Sequence, residues 1–174
     1  MKAIGITAER LRAILHYDPE TGVWTWSVRP HGRSHIRPGD RAGGPNNWGY
    51  WRIKIGQKAY QAHRLAWLYM TGDWPPRDVD HADLDKANCR WANLRLATPS
   101  QNHANVEPSI ANTSGIKGVS YNKRHKKWRV FCCKDGVNEY VGAFSSKEEA
   151  ATAYAKRARE MHGEYARAPR SVRC

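Results

Sequence analysis

The segments Val79-Asp80-His81, Asn93-Leu94-Arg95 and Thr98-Pro99-Ser100-Gln101-Asn102 decide the fold of this chain. Residues 79–82 and 93–97 have the length and residue types of short strands, and we predict one strand in each range. Thr98 and Gln101 form a capping box with proline at the first helical position, which predicts that a helix begins there. We expect this strand–strand–helix order to let Asn102, in the first helical turn, face Asp80 and His81.

A carboxylate, an imidazole and an amide in this order are suited to metal-assisted cleavage of a phosphodiester bond. A hard ion such as Mg²⁺ prefers oxygen ligands and keeps several waters, so one carboxylate and one amide oxygen suffice when a substrate phosphate completes the shell. A neutral histidine can take a proton from the attacking water near neutral pH. Asp80 and His81 alone would also fit a surface turn, but Asn93 and Asn102 at their spacing favour a nuclease site.

The residue order resembles the His-Asn-His (HNH) endonuclease family, in the form whose last histidine is an asparagine. The resemblance implies that Asp80 and Asn102 ligate one Mg²⁺ or Mn²⁺ per active site, that His81 is the general base, and that Asn93 supports the hairpin of this catalytic set. His63-Arg64-Leu65-Ala66-Trp67 and the residues after Gln101 also resemble the phage homing branch. The resemblance further implies that cleavage leaves a 5′-phosphate and a 3′-hydroxyl. It implies either a monomer that nicks one strand or a homodimer that cuts both strands.

Several neighbouring side chains have two interpretations. His63 begins an apolar helix and is either a packing histidine or active-site support, and His103 is either a DNA or solvent contact or a replacement for Asn102 as the metal ligand. Asp83 and Asp85 either assist the metal or cap the hairpin loop. The family usually has glycine at the position of Leu84, so this loop departs from the family pattern.

Charge indicates the class of partner. The chain has 29 basic and 16 acidic residues, a net charge of +13. Both halves are basic, with +6 over residues 1–106 and +7 over residues 107–174, as expected if both lie along a polyanion. Charge alone would also fit ribosomal or RNA-binding roles; with the nuclease motif it favours double-stranded DNA.

Export and membrane insertion are not expected. The sequence contains no run of about 18 apolar residues and no secretory segment near Met1. We therefore expect a cytoplasmic protein, in a phage-infected or lysogenic bacterial host. Cys89, Cys132, Cys133 and Cys174 lack C-x-x-C spacing, which makes a structural zinc site improbable.

The predicted fold class is α+β: a ββα-metal nuclease core with an N-terminal mixed α/β region, followed by a C-terminal three-stranded antiparallel sheet packed on one helix. Before the core, Thr7 should cap a helix carrying Leu11, Ile14 and Leu15 on one face. Strand-like alternation follows near Trp24 and over residues 50–55, and a helix over residues 63–70 should end near Gly72. Trp48 and Trp51, beside a glycine-rich loop, are the tryptophans we expect to contact DNA.

Strand patterns also dominate the C-terminal part. Asp135-Gly136 is a hairpin signal, and Ser145-Ser146-Lys147-Glu148 reads as a capping box before an amphipathic helix. Gly118-Val119-Ser120-Tyr121, Lys127-Trp128-Arg129-Val130, Gly142-Ala143-Phe144 and residues 148–154 resemble the Apetala-type (ethylene-response-factor-type) DNA-binding domain, which implies that the sheet contacts DNA. The outward residues expected to do so are Ser120, Asn122, Arg124, Lys126, Lys127, Arg129, Asn138 and Tyr140.

We therefore predict an HNH nuclease domain with a DNA-contacting N-terminal region over residues 1–106, a linker over 107–115 and an Apetala-type domain over 116–168. The predicted function is a metal-dependent, site-recognising DNA endonuclease of the homing type. Two alternatives stay open. One is a DNA-binding transcriptional regulator with an inactive nuclease fold, and the other is a packaging- or restriction-type nuclease with loose specificity.

Overall fold

The computed structural model describes residues 5–30, 35–106, 108 and 111–166. Two compact units make up the chain, residues 1–96 and residues 97–174. The described residues form four α-helices and ten strands in small sheets, which confirms a mixed α/β chain. Within this part of the chain, no helix is both long and apolar enough to cross a bilayer.

The N-terminal unit begins with helix α1 (Ala8–Ile14), whose predicted cap is confirmed because the Thr7 hydroxyl accepts the Arg10 N–H at 3.2 Å. The prediction that Leu15 lies on this helix is wrong. Leu15 instead begins strand β1 (Leu15–Tyr17), which pairs antiparallel with β2 (Trp24–Trp26). Leu15 is fully buried in β1, and a buried leucine fits the apolar face of a helix equally well. Apolar periodicity alone could therefore not locate the boundary between the helix and the strand.

A second sheet has the order β3-β4-β5, formed by Gly44–Pro45, Trp51–Ile55 and Lys58–Gln61. It leads directly into helix α2 (Ala62–Thr71). The predicted end of this helix is confirmed, because Gly72 adopts the left-handed conformation at φ 89° and its N–H bonds the Leu68 carbonyl. The β3 strand was not predicted, since two residues are too short for a periodic signal.

The predicted strand–strand–helix order is present. Strand β6 (Asp78–His81) pairs with β7 (Leu94–Ala97), and a short 3₁₀ turn over Trp91–Asn93 leads into the second strand. Helix α3 (Pro99–Asn105) follows with the predicted capping box between Thr98 and Gln101. This order is consistent with a ββα fold.

Buried residues of α1, α2 and the first two strands form one core in the N-terminal unit. At its centre, Tyr17 stacks on Trp24 at 4.7 Å between ring centroids, and Tyr69 meets Trp24 edge-on at 5.6 Å. The Tyr17 hydroxyl donates to the Cys89 carbonyl at 2.6 Å. This bond ties the loop before β7 to the same core that supports α2.

The C-terminal unit contains the predicted three-stranded antiparallel sheet, in the order β10-β9-β8, and the predicted helix α4. The elements are β8 (Val119–Asn122), β9 (Lys127–Lys134), β10 (Val137–Phe144) and α4 (Lys147–His162). Asp135 and Gly136 both have positive φ, at 51° and 81°, as the predicted Asp-Gly turn requires. The capping box lies one residue later than predicted and joins Ser146 to Glu149 rather than Ser145 to Glu148.

One face of this sheet and helix α4 form a separate core. Val130, Cys132, Ala150, Tyr154 and Ala158 are buried there. The small alanines of α4 allow the helix to lie close to the sheet. A side chain at Gly118 is excluded, because a Cβ there would lie 2.2 Å from the Phe131 carbonyl oxygen and the backbone has φ +70°.

The segment before the sheet is ordered where it is described. The Asn112 side chain accepts the N–H groups of Ser114 and Gly115 and donates to the Ile116 carbonyl, and Ile116 is buried in the C-terminal core. Residues 107, 109 and 110 of the predicted linker, and residues 167 and 168 of the predicted Apetala-type domain, lie outside the described residues. The proposed boundaries stay predictions.

Candidate active site

Asp80 is held in place by an arginine from the paired strand. The side chain of Arg95 donates from Nε at 3.1 Å and from Nη2 at 3.0 Å to the Asp80 carboxylate oxygen Oδ2. The two side chains are only 7% and 17% exposed, for Asp80 and Arg95 respectively. A buried carboxylate needs a partner of this kind, because an uncompensated charge would cost several kcal/mol. Arg95 therefore fixes the orientation of Asp80.

His81 lies in a cluster of three rings. The His63 ring meets the His81 ring edge-on at 4.7 Å between centroids, and the Tyr50 ring lies 5.6 Å from His63 and 6.0 Å from His81. His63 is 5% exposed and His81 is 4% exposed. Helix α2 supplies His63, β6 supplies His81, and the turn before β4 supplies Tyr50.

Burial keeps both histidines neutral. It lowers the pKa of His63 to about 3, and nearby His81 and Arg64 act in the same direction. Burial also lowers the pKa of His81, although Asp80, Asp83 and Asp85 oppose that shift. A neutral imidazole has a lone pair that can accept a proton, so the environment of His81 suits a general base at neutral pH.

Asn93 organises the loop between β6 and β7. Its Oδ1 accepts the Asp83 N–H at 3.0 Å, while its Nδ2 donates to the Asp83 carboxylate and to the Asn88 carbonyl, each at 2.9 Å. The Ala82 N–H donates to the Asn93 carbonyl at 2.9 Å. The bonds of Asn93 close the hairpin that carries Asp80 and His81.

Asp83 and Asp85 cap this loop. Asp83 accepts the Asp85 N–H and the Asn88 amide, and Asp85 accepts the Ala87 N–H. Partial burial opposes ionisation of Asp83, yet the hydrogen bonds from Asn88, Asp85 and Asn93 lower its pKa. Both carboxylates therefore accept hydrogen bonds from the loop, which is the capping role that the sequence allowed as one of two interpretations.

Leu84 has a left-handed backbone conformation, which favours glycine. Its φ is +70°, in the left-handed region that costs a non-glycine residue about 1–2 kcal/mol. The loop therefore contains a glycine-type turn at a leucine. The surrounding hydrogen bonds of Asp83, Asn88 and Asn93 supply the constraint that holds it.

Asn102 and His103 lie on α3, in the C-terminal unit. Asn102 is half-buried and His103 is exposed. Within that unit, the ammonium of Lys117 donates to the carbonyls of His103, Ala104 and Val106 at the end of α3. At the other end, the Ser100 hydroxyl accepts the Asp135 N–H at 2.9 Å. Residues of the C-terminal sheet region therefore hold the helix that carries Asn102.

The donor atoms present fit a hard divalent ion. Asp80 supplies carboxylate oxygens, which such an ion prefers as ligands, and Arg95 holds this carboxylate in place. Among the residues that the structure describes, no group of three or more His, Cys, Asp or Glu side chains gathers as a metal site. A Mg²⁺ ion needs no such cage, because it keeps waters and uses one or two carboxylates with substrate phosphate.

A second polar surface lies on the C-terminal sheet, on the side away from α4. Arg129 pairs with Ser120 on one neighbouring strand and with Ala143 on the other. The next rows pair Phe131 with Tyr140 and Cys133 with Asn138. Of the side chains predicted to contact DNA, Asn122 is half-buried and the others are exposed: Ser120, Arg124, Lys126, Lys127, Arg129, Asn138 and Tyr140.

Sequence reasoning missed three residues of the first site: Arg95, Tyr50 and Lys86. Arg95 follows buried Leu94 on a strand, so strand alternation could have placed it on the face opposite to Leu94. Lys86 lies over the Tyr50 ring at 4.9 Å. Tyr50 and Lys86 are far apart in sequence, and no local pattern could have joined them to His81.

Comparisons with known proteins match the same part of the chain to HNH endonucleases. A family model described as HNH endonuclease matches residues 60–104, a range that includes His63, Asp80, His81, Asn93 and Asn102. Protein 3.8 of Escherichia phage T7 is 35% identical over 111 residues, which cover 63% of this chain and 91% of the phage protein. A mimivirus protein of Acanthamoeba polyphaga mimivirus, named as the uncharacterized HNH endonuclease L560, is 34% identical over 114 residues, covering 64% of this chain and 58% of that protein.

Proposed function

The chain belongs to the HNH endonuclease family, and from this premise we propose that it is a site-recognising DNA endonuclease of the homing type. It hydrolyses phosphodiester bonds and leaves a 5′-phosphate and a 3′-hydroxyl. The observation that carries this proposal is a buried, neutral histidine adjacent to a carboxylate that an arginine holds in place. The net charge of +13 supports a nucleic-acid substrate.

His81 acts as the general base in this proposal. Its lowered pKa keeps the imidazole neutral at pH 7, so that it can take the proton of the attacking water. Edge-on contact with the His63 ring and the nearby Tyr50 ring restrict its orientation. Asn93 keeps the hairpin closed and so keeps His81 and Asp80 on one short strand.

HNH nucleases generally depend on a divalent metal ion, and in this proposal Asp80 and Asn102 hold one Mg²⁺ or Mn²⁺ per active site. When bound, the ion neutralises charge on the phosphate and on the departing 3′ oxygen. Arg95 orients the Asp80 carboxylate by two hydrogen bonds to one oxygen. Lys117 and the Asp135 N–H fix the helix that carries Asn102.

The C-terminal sheet is proposed to select the DNA site, as an Apetala-type domain. Its outer face exposes Arg129 beside Ser120, and the Arg124 and Lys126 side chains extend from the β8–β9 turn. Arginines and lysines there are suited to phosphate and guanine contacts, while Asn122 and Asn138 are suited to adenine. The protein acts on double-stranded DNA in the cytoplasm of a phage-infected or lysogenic host, and either nicks as a monomer or cuts both strands as a homodimer.

A DNA-binding regulator without nuclease activity is the second candidate function. The observation that favours it is the exposed basic face of the C-terminal sheet, which needs no chemistry to bind DNA. The paired Asp80 and Arg95 and the buried histidines argue for the nuclease, because binding alone gives no reason to bury them.

Plasmid cleavage separates the two functions. The wild-type protein, His81→Ala and the control His16→Ala, which removes an exposed histidine of β1, are incubated with supercoiled plasmid and Mg²⁺ or Mn²⁺. We expect His81→Ala to lower the rate by about 10²- to 10⁴-fold while binding in a gel-shift assay persists. His16→Ala should cleave like the wild type.

Cleavage by His81→Ala at the wild-type rate would contradict its role as the base. Intact supercoiled plasmid with every variant, with binding retained, would support the regulator. Mapping the ends of the products tests the predicted 5′-phosphate, and the ratio of nicked to linear plasmid distinguishes a monomer from a homodimer.

A further inference from the structure

One exposed tryptophan lies close along the chain to the ring cluster of His81. Trp48 is 72% exposed, whereas the other tryptophans of the N-terminal unit are buried or partly buried. Trp51, the other tryptophan that we expected to contact DNA, is used structurally: its indole N–H bonds the Ala42 carbonyl at 2.9 Å and Arg41 lies over its ring at 4.2 Å.

Hydrogen bonds close the turn that carries Trp48. The Asn46 side-chain oxygen accepts the N–H groups of Trp48 at 2.9 Å and of Tyr50 at 3.0 Å. The Asn46 N–H donates to the Tyr50 carbonyl, and the Gly49 N–H donates to the Asn46 carbonyl. Gly49 has φ +84°, which closes the turn. A tryptophan held this way loses little further backbone freedom when it binds a ligand.

The same turn is connected to the candidate active site. Lys86, from the loop after β6, donates to the Trp48 carbonyl at 3.2 Å and lies over the Tyr50 ring. The Tyr50 ring lies 6.0 Å from that of His81. Since Trp48 is two residues from Tyr50, its Cα lies within about 8 Å of the Tyr50 Cα. DNA held with a phosphate at His81 would have its nucleotides within reach of this turn.

We propose that Trp48 is a base-stacking residue, which binds the face of a nucleobase next to the bond that is cut. This inference rests on the proposed function, because it places DNA at His81. An exposed indole on a hydrogen-bonded turn that Lys86 contacts has the chemistry to bind a nucleobase, since every base has an aromatic face and Lys86 can attract the adjacent phosphate. Without a ligand the exposed ring contributes nothing to the core, so folding does not account for it.

The test measures DNA binding in EDTA, where no metal-dependent hydrolysis occurs. The probes are a short fluorescein-labelled duplex of random sequence and the same duplex with one unpaired adenine at its centre, and the readout is fluorescence anisotropy. Trp48→Ala should weaken binding to at least one probe by about five- to 150-fold. Trp48→Phe should bind nearly as the wild type. The matched control is Met70→Ala, which truncates an exposed apolar side chain of α2 that is 39% exposed.

Salt dependence separates stacking from charge. Because tryptophan is neutral, Trp48→Ala should leave the slope of log affinity against log salt unchanged, while Lys86→Met should reduce it by about one. A larger loss on the probe with the unpaired adenine indicates an extruded base, and an equal loss on both probes indicates stacking within the duplex. Either result supports the proposal.

Two results would overturn it: binding by Trp48→Ala within twofold of the wild type on both probes, or binding by Trp48→Phe as weak as that of Trp48→Ala. Thermal unfolding of each variant identifies any loss that comes from a damaged fold. Because binding is measured without chemistry, failure of the nuclease proposal shows separately, as plasmid that His81→Ala and the wild type cut equally.

Discussion

The two units of this protein treat the same kinds of side chain in opposite ways. In the N-terminal unit, the Asp80–Arg95 pair has side chains that are 7% and 17% exposed, and His63 and His81 are buried. In the C-terminal unit, the Glu139–Arg157 pair has side chains that are 44% and 34% exposed, and the cations of the sheet face water. Burial fixes the ion pair and the two histidines of the N-terminal unit, whereas exposure leaves the cations of the C-terminal sheet able to reach a partner.

The physical reason lies in the strength of electrostatic interactions at each place. Away from water, a charge or lone pair acts strongly on its neighbours, which fixes orientation and protonation state. On the surface, lysines and arginines remain hydrated and can exchange their counterions for phosphates. A reactive site on the open sheet would be screened by water and salt.

The first prediction compares the two ion pairs, and it has the largest expected effect. Asp80→Ala should lower the free energy of unfolding by about 3–5 kcal/mol, because Arg95 would keep a buried charge without its carboxylate. Glu139→Ala, its counterpart on the exposed Arg157 pair, should cause no resolvable change. Urea unfolding followed by circular dichroism measures both. Equal losses in the free energy of unfolding would show that the difference in burial between the two ion pairs does not affect stability.

The second prediction concerns the exposed sheet. Arg129→Ala should weaken DNA binding by about five- to 150-fold if it contacts a guanine, and lower the salt slope by about one if it contacts phosphate. The cleavage rate at saturating DNA should stay unchanged, because Arg129 lies in the sheet and not among the residues of the first site. Arg159→Ala, which removes an exposed arginine of α4, is the matched control. A variant that binds normally but cleaves slowly would reverse the assignment of the two units.

The third prediction uses pH and has the smallest effect. The pKa of His63 is lowered to about 3 in the folded protein, against about 6.5 in an unfolded chain. Below pH 6.5 the unfolded chain therefore binds a proton that the folded protein does not bind until about pH 3, so stability falls as the pH falls through this window. From pH 6.5 to 5.5 the loss from His63 should be about 1 kcal/mol.

Urea unfolding at several pH values measures this loss. His63→Gln removes the titrating group, and its stability should depend less steeply on pH between 6.5 and 5.5. If the stability of His63→Gln depends on pH as steeply as that of the wild type, the result would contradict the buried, neutral state of His63. The contrast in burial between the two units would then lose one of its examples.

Local patterns predicted most elements of the fold. The Thr98–Gln101 box, the Asp135-Gly136 turn and the end of α2 at Gly72 rest on interactions within a few residues, which is why they could be read directly. The errors lie where the local sequence fits two structures equally well. Leu15 fits a helix face and a buried strand equally well, and Ser145 and Ser146 are both competent caps.

The candidate site divides in the same way. Asp80, His81, Asn93 and Asn102 were identified from their types and spacing, and their roles as ligand, base and support stay proposals. Arg95, Tyr50 and Lys86 emerged only from the structure, because each meets its partner across a loop or from another element. Residue type indicates possible chemistry, but partners distant in sequence decide burial, orientation and pKa.

The sequence by itself determined the order of elements, the basic charge of both halves and the residues able to support phosphodiester chemistry, because these follow from composition and short-range spacing. Only the tertiary structure decided that His63 packs on His81, that Arg95 holds Asp80, and that Trp48 alone among the N-terminal unit's described tryptophans is left to water. Those outcomes depend on how separate segments share one core. Burial is a property of the packed chain, and no single segment contains it.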